Sequence, residues 1–282
     1  MSLGLKYKDN RHIFDECCGE TPYLEYPLFR NTGIVRHGFS TRLGGVSQGC
    51  WSSLNLSFDR GDDPEAVREN FRRIGAAIGV KPEDMVLSRQ THTTNVRVMT
   101  EQDRGKGMTR ERDYTDVDGM ITNVPGLCLV TSYADCVPLY FVDPVRKAIG
   151  LSHSGWRGTV GKIGKETVRL MEKEFGSDPS DILAAVGPSV CMDCYEVSED
   201  VIRKVREAFD EELWPELFYE KPDGKYQLDL WKANESIFLE SGILPEHIAV
   251  TNVCTHCNSQ ILYSHRTSGN RRGNLCAFLA LK

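Results

Sequence analysis

The segment Gly126 to Gly158, GLCLVTSYADCVPLYFVDPVRKAIGLSHSGWRG, does most to limit what this chain can fold into. It holds three short apolar runs, Leu127 to Ser132, Leu139 to Val142 and Ala148 to His153, broken by two turns. Asp143-Pro144 opens the second turn, because Asp bonds its own backbone and Pro presets φ. No segment between the runs is long enough for a crossover helix, so neighbouring runs are expected to pair antiparallel, as a meander. In that topology Cys136 and His153, seventeen positions apart, reach the same edge of the sheet. A thiol beside an imidazole at a strand end suits a metal site or a nucleophile–base pair.

The rest of the chain predicts an α+β fold, with a mixed, largely antiparallel sheet core flanked by helices. Leu24, Tyr26 and Leu28 alternate in a strand expected over Tyr23 to Phe29. Asp63 caps a helix that starts at Pro64, buries Val67, Phe71, Ile74 and Ile78, and stops near Gly79. Val86 to Met99 reads as strand, polar loop and strand, with His92 in the loop. Further helices are expected through Ile163 to Phe175, from Ser198 to about Phe209, and from Asp229 to Gly242. With no repeat, linker or clean boundary in 282 residues, the chain reads as one domain. Residues 1 to 30 are its N-terminal extension and edge strand, and the charged stretch 100–115 is expected as an exposed loop insertion.

A net charge of -6 argues against nucleic acid as a partner, though not against a local basic pocket. The sequence has no membrane-length apolar run and no signal-peptide pattern, so a cytoplasmic location is expected, with cysteines serving packing, metals or catalysis. Two C-x-x-C pairs stand out, Cys191/Cys194 and Cys254/Cys257. The 59 residues between Cys194 and Cys254 exceed the spacing of a compact zinc ribbon, which favours buried structural thiols over a four-thiolate metal site. Ser40, Thr41 and Arg42, beside Gly44-Gly45, offer hydroxyls and a guanidinium suited to an oxyanion, or simply a polar turn. Arg157, at a strand-to-helix turn, also suits an anion. The turn is not a P-loop, because Gly161-Lys162 is followed by Ile163. A lone loop histidine such as His92 is more often structural than a ligand.

The motifs HGFSTRLGG, LNLS with GDD, SRQTH, DVDGMIT, ADCVPL, HSGWRG, GPS with YEV, LDL, and CT with YSHR occur in one order between residue 34 and about 275. In this the chain resembles the YfiH/YlmD family, whose members have been described as multicopper polyphenol oxidases (laccases) and as purine nucleoside phosphorylases and adenosine deaminases. The resemblance implies that His92, Cys136 and His153 are zinc ligands, with an open fourth position. It also implies purine nucleosides and phosphate as partners. Phosphorolysis would act on adenosine, inosine, guanosine or methylthioadenosine, and deamination on adenosine. In a deamination, zinc brings the pKa of its water toward ~7, and Asp135 or Asp118 would shuttle protons or orient a ligand. Ser40, Arg42, Asn55, Gln90, Arg157 and Arg266 are the substrate and phosphate candidates on this reading.

Composition opposes a true laccase. Only seven histidines are present and none forms an H-x-H pair, whereas a multicopper centre needs a histidine-rich cluster. Two histidines and a cysteine can still bind Cu2+ in vitro, since copper outcompetes zinc for such donors. The competing enzymatic reading is a metal-free cysteine hydrolase with Cys136 as nucleophile and His153 as base, acting on cell-wall peptides. The family's fold resembles that of cytotoxic necrotizing factor-type deamidases, which use Cys and His. A non-catalytic reading is a metal-storage or partner-binding module.

Overall fold

In a computed structural model, which describes residues 2–282, the chain forms fifteen strands in three sheets. Sheet one holds β1 (Asp15–Cys17), β2 (Tyr23–Glu25), β3 (Val35–Ser40), β4 (Met85–Leu87), β7 (Cys128–Tyr133) and β15 (Leu275–Leu281). Its order is β1-β2-β3-β15-β7-β4, antiparallel except for β4 against β7. Sheet two holds β5 (Val96–Val98), β6 (Gly119–Thr122), β8 (Val137–Asp143), β9 (Ala148–Ser154), β10 (Leu183–Val186) and β14 (Ile248–Val250). It is ordered β14-β10-β8-β9-β6-β5, with parallel pairs only at its two edges. The small third sheet joins β11 (Glu196–Val197), β12 (Phe218–Glu220) and β13 (Tyr226–Leu228).

The two large sheets pack face to face with helices outside, which explains runs such as LCAFLAL and VPLYFVD. Strands buried on both faces read as continuously apolar rather than alternating. Along β15, Leu275, Ala277 and Leu279 enter the core between the sheets, whereas Cys276, Phe278 and Ala280 meet the Pro64–Ile78 helix. Along β8, Tyr140 and Val142 face inward, and Leu139 and Phe141 meet the Ile163–Phe175 and Leu230–Glu240 helices. The Pro64–Ile78 helix is set by its ends. The Asp63 side chain accepts from Glu65 N at 3.0 Å, and Gly79 turns left-handed at φ 83. Its Val67, Phe71 and Ile74 are fully buried, so Phe71→Ala would cost about 3–5 kcal/mol.

Several expectations need correcting. The three apolar runs do not form one meander. β8 and β9 pair antiparallel, but β7 lies in sheet one, held by β15 and β4, so the Ala134–Cys136 link crosses between sheets. Asp135, at φ 88, makes that crossing. The Tyr23 strand ends at Glu25, because Pro27 starts a helical turn, Pro27–Arg30. Residues 100–115 are not simply exposed. Asp103, Met108 and Tyr114 are buried, the Tyr114 hydroxyl donates to Leu87 O at 2.7 Å, and Arg112 donates to Ser88 O at 2.6 Å.

Candidate functional site

At one end of the sandwich, between the sheets, lies a cleft of about 560 Å³, a size that suits a nucleoside-sized ligand. Three elements deliver its central donors: the loop between β4 and β5 carries His92, the inter-sheet link carries Cys136, and β9 carries His153. One donor atom from each lies within 4.8 Å of the others, with His92 exposed, Cys136 half-buried and His153 buried. Cys136 Sγ is 3.9 Å from His92 Nε2. Antiparallel pairing sets Pro138 opposite His153, which is why a thiol and an imidazole far apart in sequence meet here. Gly155 leaves room for this cluster: a Cβ there would lie 3.0 Å from His92 Cδ2 and 3.2 Å from Cys136 Sγ and would crowd both.

Asp118, wholly buried, organises this cluster. Its carboxylate takes His153 Nδ1 at 2.8 Å and the backbone N–H groups of Thr91, His92 and Thr93 at 2.9, 3.1 and 3.0 Å. Burial alone would raise the Asp118 carboxyl, but the imidazole and the amides outweigh it and hold it at about 2. One carboxylate thus fixes the His153 ring and the left-handed backbone of His92, φ 67, together. Burial would likewise raise the Cys136 thiol, yet His153 and His92 bring it down to about 6. Against burial, Cys136 and Asp118 raise His153 to about 9. At neutral pH Cys136 is therefore mainly thiolate, the form that serves as metal ligand or nucleophile.

The substrate candidates divide. Gln90, Arg157 and Arg266 line the cleft, as does Asp135. Gln90 is already engaged, accepting from Ser132 N and donating to Ser132 O, each at 2.8 Å. Asp135 is also occupied: one oxygen accepts from Thr255 Oγ1 and the other from Arg266 N, both at 2.6 Å. Ser40, Arg42 and Asn55 lie outside the cleft, contrary to expectation. Arg42 spends its guanidinium on Ser52 O and Ser259 O and stacks on Tyr263, while Ser40 Oγ accepts from Cys276 N. Asn55 accepts from Asn274 N at 3.0 Å and so supports the segment that enters the cleft before β15.

Sequence reasoning missed the strongest feature of the cleft. Arg60, Arg89, Arg112, Arg157, Arg266 and Arg272 all line it, against the carboxylates of Asp59 and Asp135 alone. Arg272 is only 6% exposed, and the Nε atoms of Arg60 and Arg272 are buried without a partner. Burial, with Arg60 beside it, lowers Arg272 to about 10. The signal was present in the basic run ending at Arg272 and in the Arg60-Gly61-Asp62-Asp63 turn. Neither carries a periodic pattern, and Arg112 sat in the stretch read as a loop.

Comparison with known proteins agrees with this architecture. A family model described as multi-copper polyphenol oxidoreductase laccase matches residues 36–282. The purine nucleoside phosphorylase YlmD of Bacillus subtilis (strain 168) is 36% identical over 258 residues, covering 90% of this chain and 91% of that one. The chain belongs to the YfiH/YlmD family. Another relative, the adenosine deaminase RL5 of an unknown prokaryotic organism, is 33% identical over 83% of this chain and 90% of its own. The crystal structure of the hypothetical protein YfiH from Bacillus licheniformis superimposes with a TM-score of 0.90 at 31% identity, over 96% of this chain and 100% of that one. The mixed α+β sandwich is therefore the fold of this YfiH/YlmD chain. No helix among the described residues is long and apolar enough to cross a membrane.

Proposed function

We propose that the chain is a zinc-dependent purine nucleoside phosphorylase, with deamination of adenosine as a lesser activity. The observation that carries this reading is buried Arg272 beside half-buried Arg60, each with an unpartnered Nε, in the cleft that holds the His–Cys–His cluster. Arg272 is desolvated and repelled by Arg60, and with one terminal nitrogen held by Gly273 O and Asn274 Oδ1 its remaining donors suit a phosphate oxyanion that relieves the repulsion. The names of the relatives, a phosphorylase and a deaminase, supply the substrate class.

His92, Cys136 and His153 are the residues that would hold zinc. Two imidazoles and a thiol that is largely ionised at neutral pH form a suitable donor set, with Asp118 fixing the tautomer of one of them. Bound there, zinc would supply a Lewis acid. Arg60 and Arg272 hold phosphate, one oxygen of which attacks C1′ of the ribose. The C1′–N9 bond breaks, and its electron pair leaves with the base. Trp156 and Tyr195 line the cleft as flat apolar surfaces for the base. Asp135, with both oxygens engaged, orients Arg266 rather than shuttling protons, which is why deamination is placed second.

The test is incubation of purified protein with adenosine, with and without phosphate, and separation of inosine, adenine and hypoxanthine. Adenine formed only with phosphate is the expected result; no product from zinc-loaded protein overturns it. A second reading has its own support, since the low thiol pKa and the Asp118–His153–Cys136 alignment also suit a metal-free cysteine hydrolase of the necrotizing-factor type. A zinc-bound thiolate cannot attack, so chelator and alkylating agent separate the two. Activity lost to chelator and spared by mild alkylation supports the phosphorylase, and the reverse supports the hydrolase.

A further inference from the structure

The two C-x-x-C pairs, whose spacing disfavoured a shared metal site, come together. β10 and β14 are parallel neighbours, so Cys191 and Cys254 leave the same end of sheet two, and Ser189 bridges to Cys254 just beyond it. The chain then makes one tight turn in each segment, which adds Cys194 and Cys257. All four sulfurs lie within 4.8 Å of one another. The distance from Cys194 Sγ to Cys257 Sγ is 3.6 Å, far beyond an S–S bond of roughly 2.05 Å. A tetrahedron of four thiolates at a Zn–S distance of about 2.3 Å has edges of roughly 3.8 Å, close to this separation.

The surroundings suit a closed thiolate site. The N–H groups of Cys191 and Cys257 point at Cys254 Sγ, at 3.3 and 3.5 Å. Lys8 crosses over the cluster and pairs with Asp193, between the first two cysteines, at 2.9 Å. A cation there offsets the net negative charge of a dication with four thiolates. With no imidazole, carboxylate or open position in the set, such a site holds structure and leaves no room for a reacting water. Both turns also bond to one aspartate: Thr255 Oγ1 donates to Asp135 Oδ1, and Val190 N donates to Asp135 O at 3.1 Å. Asp135 immediately precedes Cys136.

We infer that Cys191, Cys194, Cys254 and Cys257 form a second, structural zinc site, distinct from the His–Cys–His cluster and braced against it through Asp135. Only the count of two ions rests on the proposed zinc at the open cluster; the sulfur-only shell and the protection of these four thiols do not. The test is the zinc content of full-length protein purified under reducing conditions, for wild type and for Cys136→Ser. Wild type should hold two zinc ions per chain and Cys136→Ser one, whose X-ray absorption spectrum shows a shell of sulfur alone at about 2.3 Å. Cys194→Ser should likewise lose one ion. Because that variant can fail to fold, wild-type protein supplies a second readout: its four cluster thiols should resist alkylation until a strong chelator is added. One zinc in wild type with these four thiols freely alkylated overturns the inference. So does a Cys194–Cys257 disulfide in the peptide map.

Discussion

Two cysteine-bearing clusters sit on opposite flanks of Asp135, and they differ in everything except their capacity for a metal. The His92–Cys136–His153 cluster opens onto a cleft, mixes nitrogen with sulfur, and is held by a buried carboxylate. The four-cysteine cluster uses sulfur alone, faces no substrate, and is closed over by Lys8. The first arrangement leaves a place for chemistry and the second does not. Donor type and access, rather than the mere presence of ligands, separate a working centre from a brace.

The sharpest way to break this contrast is Cys136→Ser. It should abolish nucleoside turnover while leaving the unfolding midpoint close to wild type, checked by product chromatography and thermal unfolding. If turnover survives, the open cluster is not the reacting centre. Arg272→Met should come next, raising the KM for phosphate about 10- to 100-fold, because a hydrogen bond to a charged group contributes about 1.5–3 kcal/mol. The KM for adenosine should stay unchanged, and a parallel rise in both would count against an Arg60–Arg272 phosphate site. Asp118→Asn should weaken zinc at the open cluster about 10- to 100-fold, read by competition with a chromogenic chelator. The four-cysteine cluster should be indifferent to that change. Gly155→Ala should lower kcat/KM about ten-fold by crowding His92 and Cys136, roughly 1.4 kcal/mol in the transition state. Its cost in folding stability should be about 1 kcal/mol, because Ala is a much poorer N-cap than Gly, checked by urea denaturation.

Acid offers the finest distinction, since metal bound at either cluster would be released as its ligands protonate. That loss must be separated from His37, whose ring is buried, accepts from Tyr26 N at 2.8 Å, and is pushed by burial from 6.5 to about 3. The unfolded chain protonates His37 first, so this contribution is complete above pH 6.5 and is lost as pH falls toward 3. The slope should be about 1.4 kcal/mol per pH unit, and His37→Gln should flatten it in denaturant titrations. A wild-type slope that His37→Gln leaves unaltered would assign the acid sensitivity to other groups.

The two clusters also differ in how far they could be read in advance. β8 and β9 are joined by a tight Asp-Pro turn, so local pairing brings Cys136 near His153, and the sequence carries that information. His92 enters only through Asp118, which gathers the loop amides, and no local pattern announces a carboxylate doing so. The four-cysteine cluster depends on β10 and β14 lying parallel across a gap that holds three helices and a small sheet, so spacing along the chain misled. The arginines escaped for a related reason. Arg60, Arg112 and Arg272 come from irregular segments whose positions are set by tertiary bonds, such as that of Arg112 to Ser88 O. Helix ends, by contrast, were legible at Asp63 and Asp229 because a cap is a local hydrogen bond.

The position of β15 has a consequence for biogenesis. It lies between β3 and β7, yet it is the last of the fifteen strands to leave the ribosome. Until Leu275–Leu281 emerges, β3 and β7 share no neighbour and each exposes an edge of unpaired N–H and C=O groups, a state prone to aberrant pairing. A chain ending short of residue 275 should therefore leave the first sheet split and bind a holdase chaperone.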